Sequence, residues 1–476
     1  MPTATAFSTA LLDQDSPWLL IPGVLGGKPF TGTPRPLPTL DGSMVKVAVA
    51  SELMQSQLVE RCGSALEGLR AYSENEWWPL FTMAADLIEQ WHRGGRLTRL
   101  LQAISATGGL PERRVHRGLE GVIRIMRGVQ DTLRVQTPDG DTTVFATGIC
   151  DRPWRLLPAG RTCLVRVPDN FPTIAVEWLQ VLASRRPVIV NTSDGDTILT
   201  SILVAGLLEV GMAPDAVAVV HGLVPTAYRL SDQVVWPGER VPTTVDAHSA
   251  KTYHFGRSKA ILAGPDPGQP VWARVARLAF EGAGRLCTNI SSLVVIGDTG
   301  AARDAGTALA TEFARIPVVP LDDRKARVAG WHDRSAAEAL AQTIQREIAA
   351  SAVDLTAEQS GQPLLIERDG VVYVRPTVLL VDRRSPLFGT ELPIPFTAVA
   401  AAPTPSEAIA ACGRSLIVSV LPSPGVDPGP LVDALAVEPT ITKVFAGEAF
   451  DRGYVPCDPQ EGYLVDYLFQ KKAITG

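Results

Sequence analysis

From residue 163 to residue 220, apolar runs alternate with helix-length stretches, and no other feature limits the possible folds as sharply. The runs at 164–167, 187–190 and 216–220 read as strands, with helices at 173–183 and 197–210 between them. Strands that alternate with helices of this length imply parallel β-α-β units, whose ligand crevice lies at the carboxyl ends of the strands. The class is therefore α/β, and the architecture alone is compatible with a nucleotide site. A second α/β run starts near Tyr253, with strands at 260–262 and 292–296 and helices at 302–315 and 335–350, and reads as a separate domain.

Ahead of the alternation, residues 51–130 are helix-like. Leu53, Leu58, Cys62, Leu66 and Leu69, then Leu80, Met83, Ala84, Leu87, Ile88 and Trp91, recur at three- and four-residue spacing. Leu119, Val122, Ile123 and Met126 continue the pattern, and the arginines between them read as a solvated face. The period then changes to two. Leu133-Arg134-Val135-Gln136-Thr137 and Thr142-Thr143-Val144-Phe145-Ala146 flank Pro138-Asp139-Gly140-Asp141, which predicts a hairpin. The Pro- and Gly-rich stretches 21–43, 264–270 and 422–430 read as loops.

The second domain presents one thiol on a small-residue turn, Phe280-Glu281-Gly282-Ala283-Gly284-Arg285-Leu286-Cys287-Thr288-Asn289, just before a strand. Backbone N–H groups in such a turn can stabilise a thiolate, the reactive form of cysteine. A buried structural thiol is the alternative for the turn taken alone. Cys62, Cys150, Cys163, Cys412 and Cys457 are scattered without a CxxC pair, so neither a disulfide framework nor a zinc site is signalled. Reduced thiols and a cytoplasmic location are expected. The histidines show no ligand spacing, so no metal is expected. A net charge of −6 without a Lys/Arg run gives no reason to expect nucleic acid. The N-terminus lacks a basic region followed by an apolar core, and no secretion signal is read there. The most apolar long stretch, 197–213, is short for a membrane span and holds Glu209, so it reads as a buried helix.

Five segments then follow one another in a telling order. Pro168-Asp169-Asn170-Phe171-Pro172 closes a strand, and Gly222-Leu223-Val224-Pro225-Thr226-Ala227 follows another. Asp232-Gln233-Val234-Val235-Trp236-Pro237-Gly238 leads into a turn, and Gly284-Arg285-Leu286-Cys287 carries the thiol. Last, Gly370-Val371-Val372-Tyr373-Val374-Arg375-Pro376-Thr377-Val378-Leu379 precedes Glu391-Leu392-Pro393-Ile394-Pro395-Phe396. Their order and spacing around one cysteine resemble the aldehyde dehydrogenase superfamily from residue 130 onward.

The resemblance implies a Rossmann-type nucleotide-binding domain, an α/β catalytic domain and a small oligomerisation arm. Residues 1–130 would form a helical layer joined to the nucleotide-binding domain, and 131–150 the hairpin of the arm. The nucleotide-binding domain would occupy 151–252, the catalytic domain 253–445, and a C-terminal segment with the arm's strand 446–476. The resemblance also implies Cys287 as nucleophile, with Asn170 and the Cys287 N–H as donors to an oxyanion. NAD or NADP would be held near Asn191, Asp194, Gly222, Pro225 and Gly238, with Glu391 at the nicotinamide ribose. A homo-oligomer, dimer or tetramer, is expected.

Departures from the family pattern bear on the reaction. Hydrolytic members carry a water-activating glutamate where this chain reads Tyr253-His254-Phe255-Gly256-Arg257-Ser258-Lys259, with His254 at the glutamate position. Without that carboxylate an acyl-enzyme outlives attack by water, so exchange with another thiol or reduction by hydride can compete. The segments look closest to the acylating, acyl-CoA reductase branch. The expected activity is therefore NAD(P)H-dependent reduction of an acyl thioester, on CoA or on carrier-protein phosphopantetheine, to an aldehyde. Oxidation of an aldehyde to a carboxylic acid and a non-catalytic family role are the alternatives. His254 is either a proton donor or base, or a packing residue. Asn191-Thr192-Ser193-Asp194 stands where the family has Lys-Pro-Ser-Glu; loss of the lysine favours NAD, while Asp194 can still accept from ribose hydroxyls. Glu239 puts a carboxylate at the pyrophosphate turn, and the short stretch from Gly222 to His254 predicts the loss of a helix.

Overall fold

The computed structural model describes residues 5–473 apart from 148–153, 171–174, 239, 247–248, 254–257, 453–454, 456 and 459–460. His254 and Cys150 therefore lie outside the described residues. The chain divides into two compact units. The first comprises Met1–Gly108, Val115–His254 and Pro456–Gly476; the second comprises Gly109–Arg114 and Phe255–Val455.

The first unit is built on a parallel sheet. The strand Cys163–Arg166 lies between Val188–Thr192 on one side and Gln233–Pro237 on the other. Val217–His221, Val45–Val49 and Leu19–Ile21 extend the first side, and Ala250–Tyr253 extends the second. Strand order thus reverses between Cys163–Arg166 and Gln233–Pro237, the switch point beside which open α/β sheets bind ligands. The predicted strands and the helices Ala175–Ala183 and Thr197–Glu209 are all present. Residues 197–208 are buried throughout, and Glu209 at the end of that helix accepts from Thr5 N–H and Ser8 Oγ at 2.7 and 2.6 Å. Among the described residues no helix is long and apolar enough to cross a membrane.

The N-terminal region differs from its helical reading. Five strands precede the helices, and Gly23–Leu25, Lys28–Phe30 and Thr33–Leu37 fall in a stretch expected to be loop. Thr33–Leu37 tolerates Pro34 and Pro36 because it is an edge strand, paired antiparallel with Val45–Val49 alone. The helices Glu52–Ala71, Glu74–Arg93, Thr98–Gly108 and Glu112–Arg127 then follow the predicted periodicity. Trp77 is fully buried and donates its indole N–H to the Ala183 carbonyl at 2.8 Å, which ties this layer to the sheet's own helix.

The predicted 133–146 hairpin is absent. Val129–Arg134 is a helix, and Pro138–Gly140 and Thr142–Phe145 are 3₁₀ turns. Val129, Leu133 and Gln136 are buried at helical spacing, so the three-to-four period of the preceding helix runs on through a stretch too short to establish a period of two. Pro138 opens a tight turn in which Asp139 and Gly140 are left-handed, and no strands flank it. In the C-terminal segment Leu464–Leu468 is helical, and the strand Phe469–Ala473 pairs antiparallel with Trp154–Pro158. Between Gly222 and Tyr253 the described residues hold one short helix, Pro225–Leu230, and the described part of 238–249 joins two parallel strands without an α-helix.

In the second unit a sheet of order Val353–Asp354, Thr377–Leu380, Phe396–Ala402, Ile290–Ile296, Ser258–Leu262, Ser415–Leu421 and Ile441–Ala446 is parallel except at the first, short strand. Trp272, Phe280, Leu293, Phe313 and Val399 form its core on one face. The thiol-bearing turn lies between the helix Gln269–Ala279 and the central strand Ile290–Ile296.

Candidate active site

Three consecutive residues ahead of Cys287 adopt the left-handed conformation: Gly282 at φ 58°, Ala283 at 56° and Gly284 at 84°. Glycine accepts this conformation without cost, whereas Ala283 is strained there. At Gly284 a side chain would also overlap backbone atoms of Ile394 and Pro395. The 391–396 segment, read from sequence as a separate motif, is thus packed backbone to backbone against the thiol-bearing turn. Asn289 clamps the turn from the other side. Its Oδ1 accepts from Leu286 N–H at 2.6 Å, and its Nδ2 donates to the carbonyls of Leu278 and of Glu281, the latter at 3.0 Å. Ser258 Oγ donates to the Cys287 carbonyl at 2.8 Å. These contacts fix the backbone on both sides of the thiol, which is what a positioned nucleophile requires.

Exposure separates Cys287 and Cys457, both half-buried, from the other described thiols. Cys62, Cys163 and Cys412 are buried, and burial pushes their thiols up to about 12, 12 and 11, so they stay protonated and inert. Cys287 is only half-buried. Glu391 is half-buried at the start of the segment that packs on the turn. Burial raises the Glu281 carboxyl above its ordinary value, against the opposing effect of Arg114 and Arg277. No group of three or more metal-ligating side chains occurs among the described residues.

The remaining predicted site residues belong to the first unit. Asn170 is half-buried beyond the carboxyl end of Cys163–Arg166, and Asn191 ends on the neighbouring strand. The Asn191 side chain is fully engaged: it accepts from Arg166 at 2.9 Å and from the Tyr228 hydroxyl, and donates to the carbonyls of Val220 and Gly222. It ties strand ends together. Gly222 is left-handed at φ 76°. Pro225 opens the short helix Pro225–Leu230, whose Thr226 and Ala227 N–H groups are already capped by Gln55 Oε1 at 3.1 and 3.3 Å. Gly238 at φ 129° follows the strand beyond the switch point and donates to the Tyr253 carbonyl at 2.6 Å.

Two features at the end of Val188–Thr192 escaped sequence reasoning. Ser193 Oγ is buried without a hydrogen-bond partner. Asp194 forms a two-point ion pair with Arg35, whose Nη1 lies 3.1 Å from Asp194 Oδ2. A cation at this strand end thus comes from Thr33–Leu37, 159 residues before Asp194. Nearby, His221 accepts or donates at 2.8 Å to Thr192 Oγ1 and bonds the Pro22 carbonyl at 3.1 Å; burial pushes it down to about 4. Asp196 is fully buried, accepts from Thr200, and is pushed up to about 7.

No protein-family model matches the chain, and no curated protein matches it. Solved structures do. An NAD-dependent benzaldehyde dehydrogenase from Corynebacterium glutamicum superposes with a TM-score of 0.74 at 15% identity, covering 95% of this chain and 98% of that one. A betaine aldehyde dehydrogenase from Staphylococcus aureus gives 0.74 at 15% identity over 95% of each chain. An NADP-dependent glyceraldehyde-3-phosphate dehydrogenase from Bacillus halodurans gives 0.74 at 15% identity, covering 95% and 98%. With parallel sheets in both units and nearly full-length coverage in both directions, the chain has the fold of the aldehyde dehydrogenases.

Proposed function

We propose that the protein is an NAD(P)-dependent oxidoreductase of aldehyde dehydrogenase type, acting on the carbonyl carbon of an aldehyde through a covalent adduct at Cys287. The observation that carries this reading is the built turn: an accessible thiol whose flanking backbone is fixed by Gly284 and Asn289. The Cys287 thiolate adds to the carbonyl, forming the C–S bond and placing the electron pair on oxygen. The Cys287 N–H donates to that oxyanion; one such donor is typically worth about 3 kcal/mol. A bound nicotinamide dinucleotide supplies hydride acceptance or donation. The residues at the Val188–Thr192 strand end suit its ribose: Ser193 offers a buried hydroxyl, and Asp194 an acceptor. The capped N–H groups of Thr226 and Ala227 leave no phosphate site at that short helix.

The second reading, reduction of an acyl thioester on CoA or a carrier protein, is favoured by His254 at the position of the water-activating glutamate. The two differ in the direction of hydride transfer, from the Cys287 thiohemiacetal to NAD(P)+ or from NAD(P)H to the Cys287 thioester, and in what resolves or delivers that thioester: water in one, a carrier thiol in the other. Purified protein is assayed with aldehydes and NAD(P)+, and with acyl-CoAs and NAD(P)H, scoring acid, free thiol and nucleotide. Acid formed without thiol establishes aldehyde oxidation. Thiol released in step with nucleotide oxidation establishes thioester reduction. Activity that survives Cys287→Ala removes both. The Trp154–Pro158 and Phe469–Ala473 ribbon is the proposed oligomerisation element, since two strands alone are marginal; sedimentation velocity checks it.

A further inference from the structure

We propose that the Arg35–Asp194 pair reads the adenosine ribose and admits a 2′-phosphate, so that the site takes NADP as well as NAD; this rests on the nucleotide-dependent reading above. Asp194 follows the strand next to the switch point, the position from which an acidic residue accepts from ribose hydroxyls in dinucleotide-binding sheets. A lone carboxylate there would repel a 2′-phosphate. Here its charge is matched by Arg35 through both oxygens. The two contacts use one N–H each from Nη1 and Nη2, and guanidinium has five donors in a rigid fork that suits phosphate.

Three observations place this pair at a ligand site. Both side chains remain partly exposed, 39% for Arg35 and 46% for Asp194, so the pair can be reached from solvent. Ser193 Oγ, one residue away, is buried and lacks a hydrogen-bond partner, which a ribose hydroxyl would supply. The backbone beneath is rigid: Ser193 N–H donates to the Val167 carbonyl at 3.1 Å, and Thr197 Oγ1 to the Ser193 carbonyl at 2.7 Å. Arg35 itself sits on Thr33–Leu37, between two prolines that limit the strand's freedom, with Arg35 opposite Val47. The charge of the family's lysine, whose place Asn191 takes near the end of Val188–Thr192, is therefore supplied by a residue on another element.

The test is calorimetric binding of NAD+, NADP+, adenosine 2′,5′-bisphosphate and AMP to the full chain and to two variants. For Arg35→Ala, the affinity for NADP+ and for the bisphosphate should fall at least about tenfold, with NAD+ and AMP changed less than about threefold. Asp194→Asn should move the opposite way, weakening NAD+ relative to NADP+. Opposite shifts in two variants cannot come from misfolding. Equal losses for all four ligands in Arg35→Ala, or shifts of the same sign in both variants, would overturn the assignment of the pair while leaving nucleotide binding in place. A wild-type chain that binds none of the four would overturn the nucleotide reading and this inference with it.

Discussion

Gly284 is the residue on which the nucleophile turn depends. Any side chain there meets backbone of Ile394 and Pro395, which cannot rotate aside, and also disfavours the left-handed φ. Gly284→Ala should cost about 2–4 kcal/mol and slow alkylation of Cys287 by iodoacetamide, measured by denaturant titration and by mass spectrometry. Asn289→Ala leaves the Leu286 N–H and two carbonyls without a partner, for about 2–4 kcal/mol. His221 sets a pH dependence. Its folded value is about 4 while the unfolded chain protonates near 6.5, so the unfolded state binds the extra proton between these and stability is lost as pH falls through that window, by up to about 3 kcal/mol. Asp196, held protonated to about 7, opposes this, because the unfolded chain sheds a proton above 3.8 that the fold retains. His221→Gln should therefore lose less melting temperature than the wild type from pH 7 to pH 5. Cys287 was legible in the sequence because a thiol on a small-residue turn is a local pattern. Arg35 was not, because its partner is 159 residues away and no local pattern reports charge pairing.

At the scale of elements, continuous apolar runs between helices were legible because a buried parallel strand looks the same wherever it stands. Edge strands rich in proline were not, since their pairing is with one neighbour only and leaves a turn-like composition. The 129–145 stretch shows how a short window misleads. As a strand it would put Leu133 and Val135 on one face. In the observed helix Leu133 is 0% exposed while Val135, beyond the helix end, is 48% exposed. Leu133→Ala should then cost about 2–4 kcal/mol and Val135→Ala less than about 0.5 kcal/mol. Equal costs in thermal or denaturant unfolding would favour the hairpin. The 238–249 connection carries no α-helix among its described residues.

At the scale of the whole molecule, each unit has its own sheet and its own core. The first unit is assembled from separated stretches, and 456–476 is one of them. Within it, Tyr467 Oη accepts from Val234 N–H at 2.9 Å, Gln233 donates to the Tyr467 carbonyl at 2.7 Å, and Arg186 donates to the Leu468 carbonyl at 2.6 Å. A chain ending at residue 455 should keep the calorimetric transition of the second unit and lose or sharply lower that of the first. The pairing of Phe469–Ala473 with Trp154–Pro158 also sets an order in time. On the ribosome, the stretch that forms the second unit is translated in full before the strand that closes the first. The thiol-bearing unit can thus mature while the strand Trp154–Pro158 still waits for its one partner, and the nascent chain holds an open edge there that a chaperone, or a neighbouring nascent copy, can meet first.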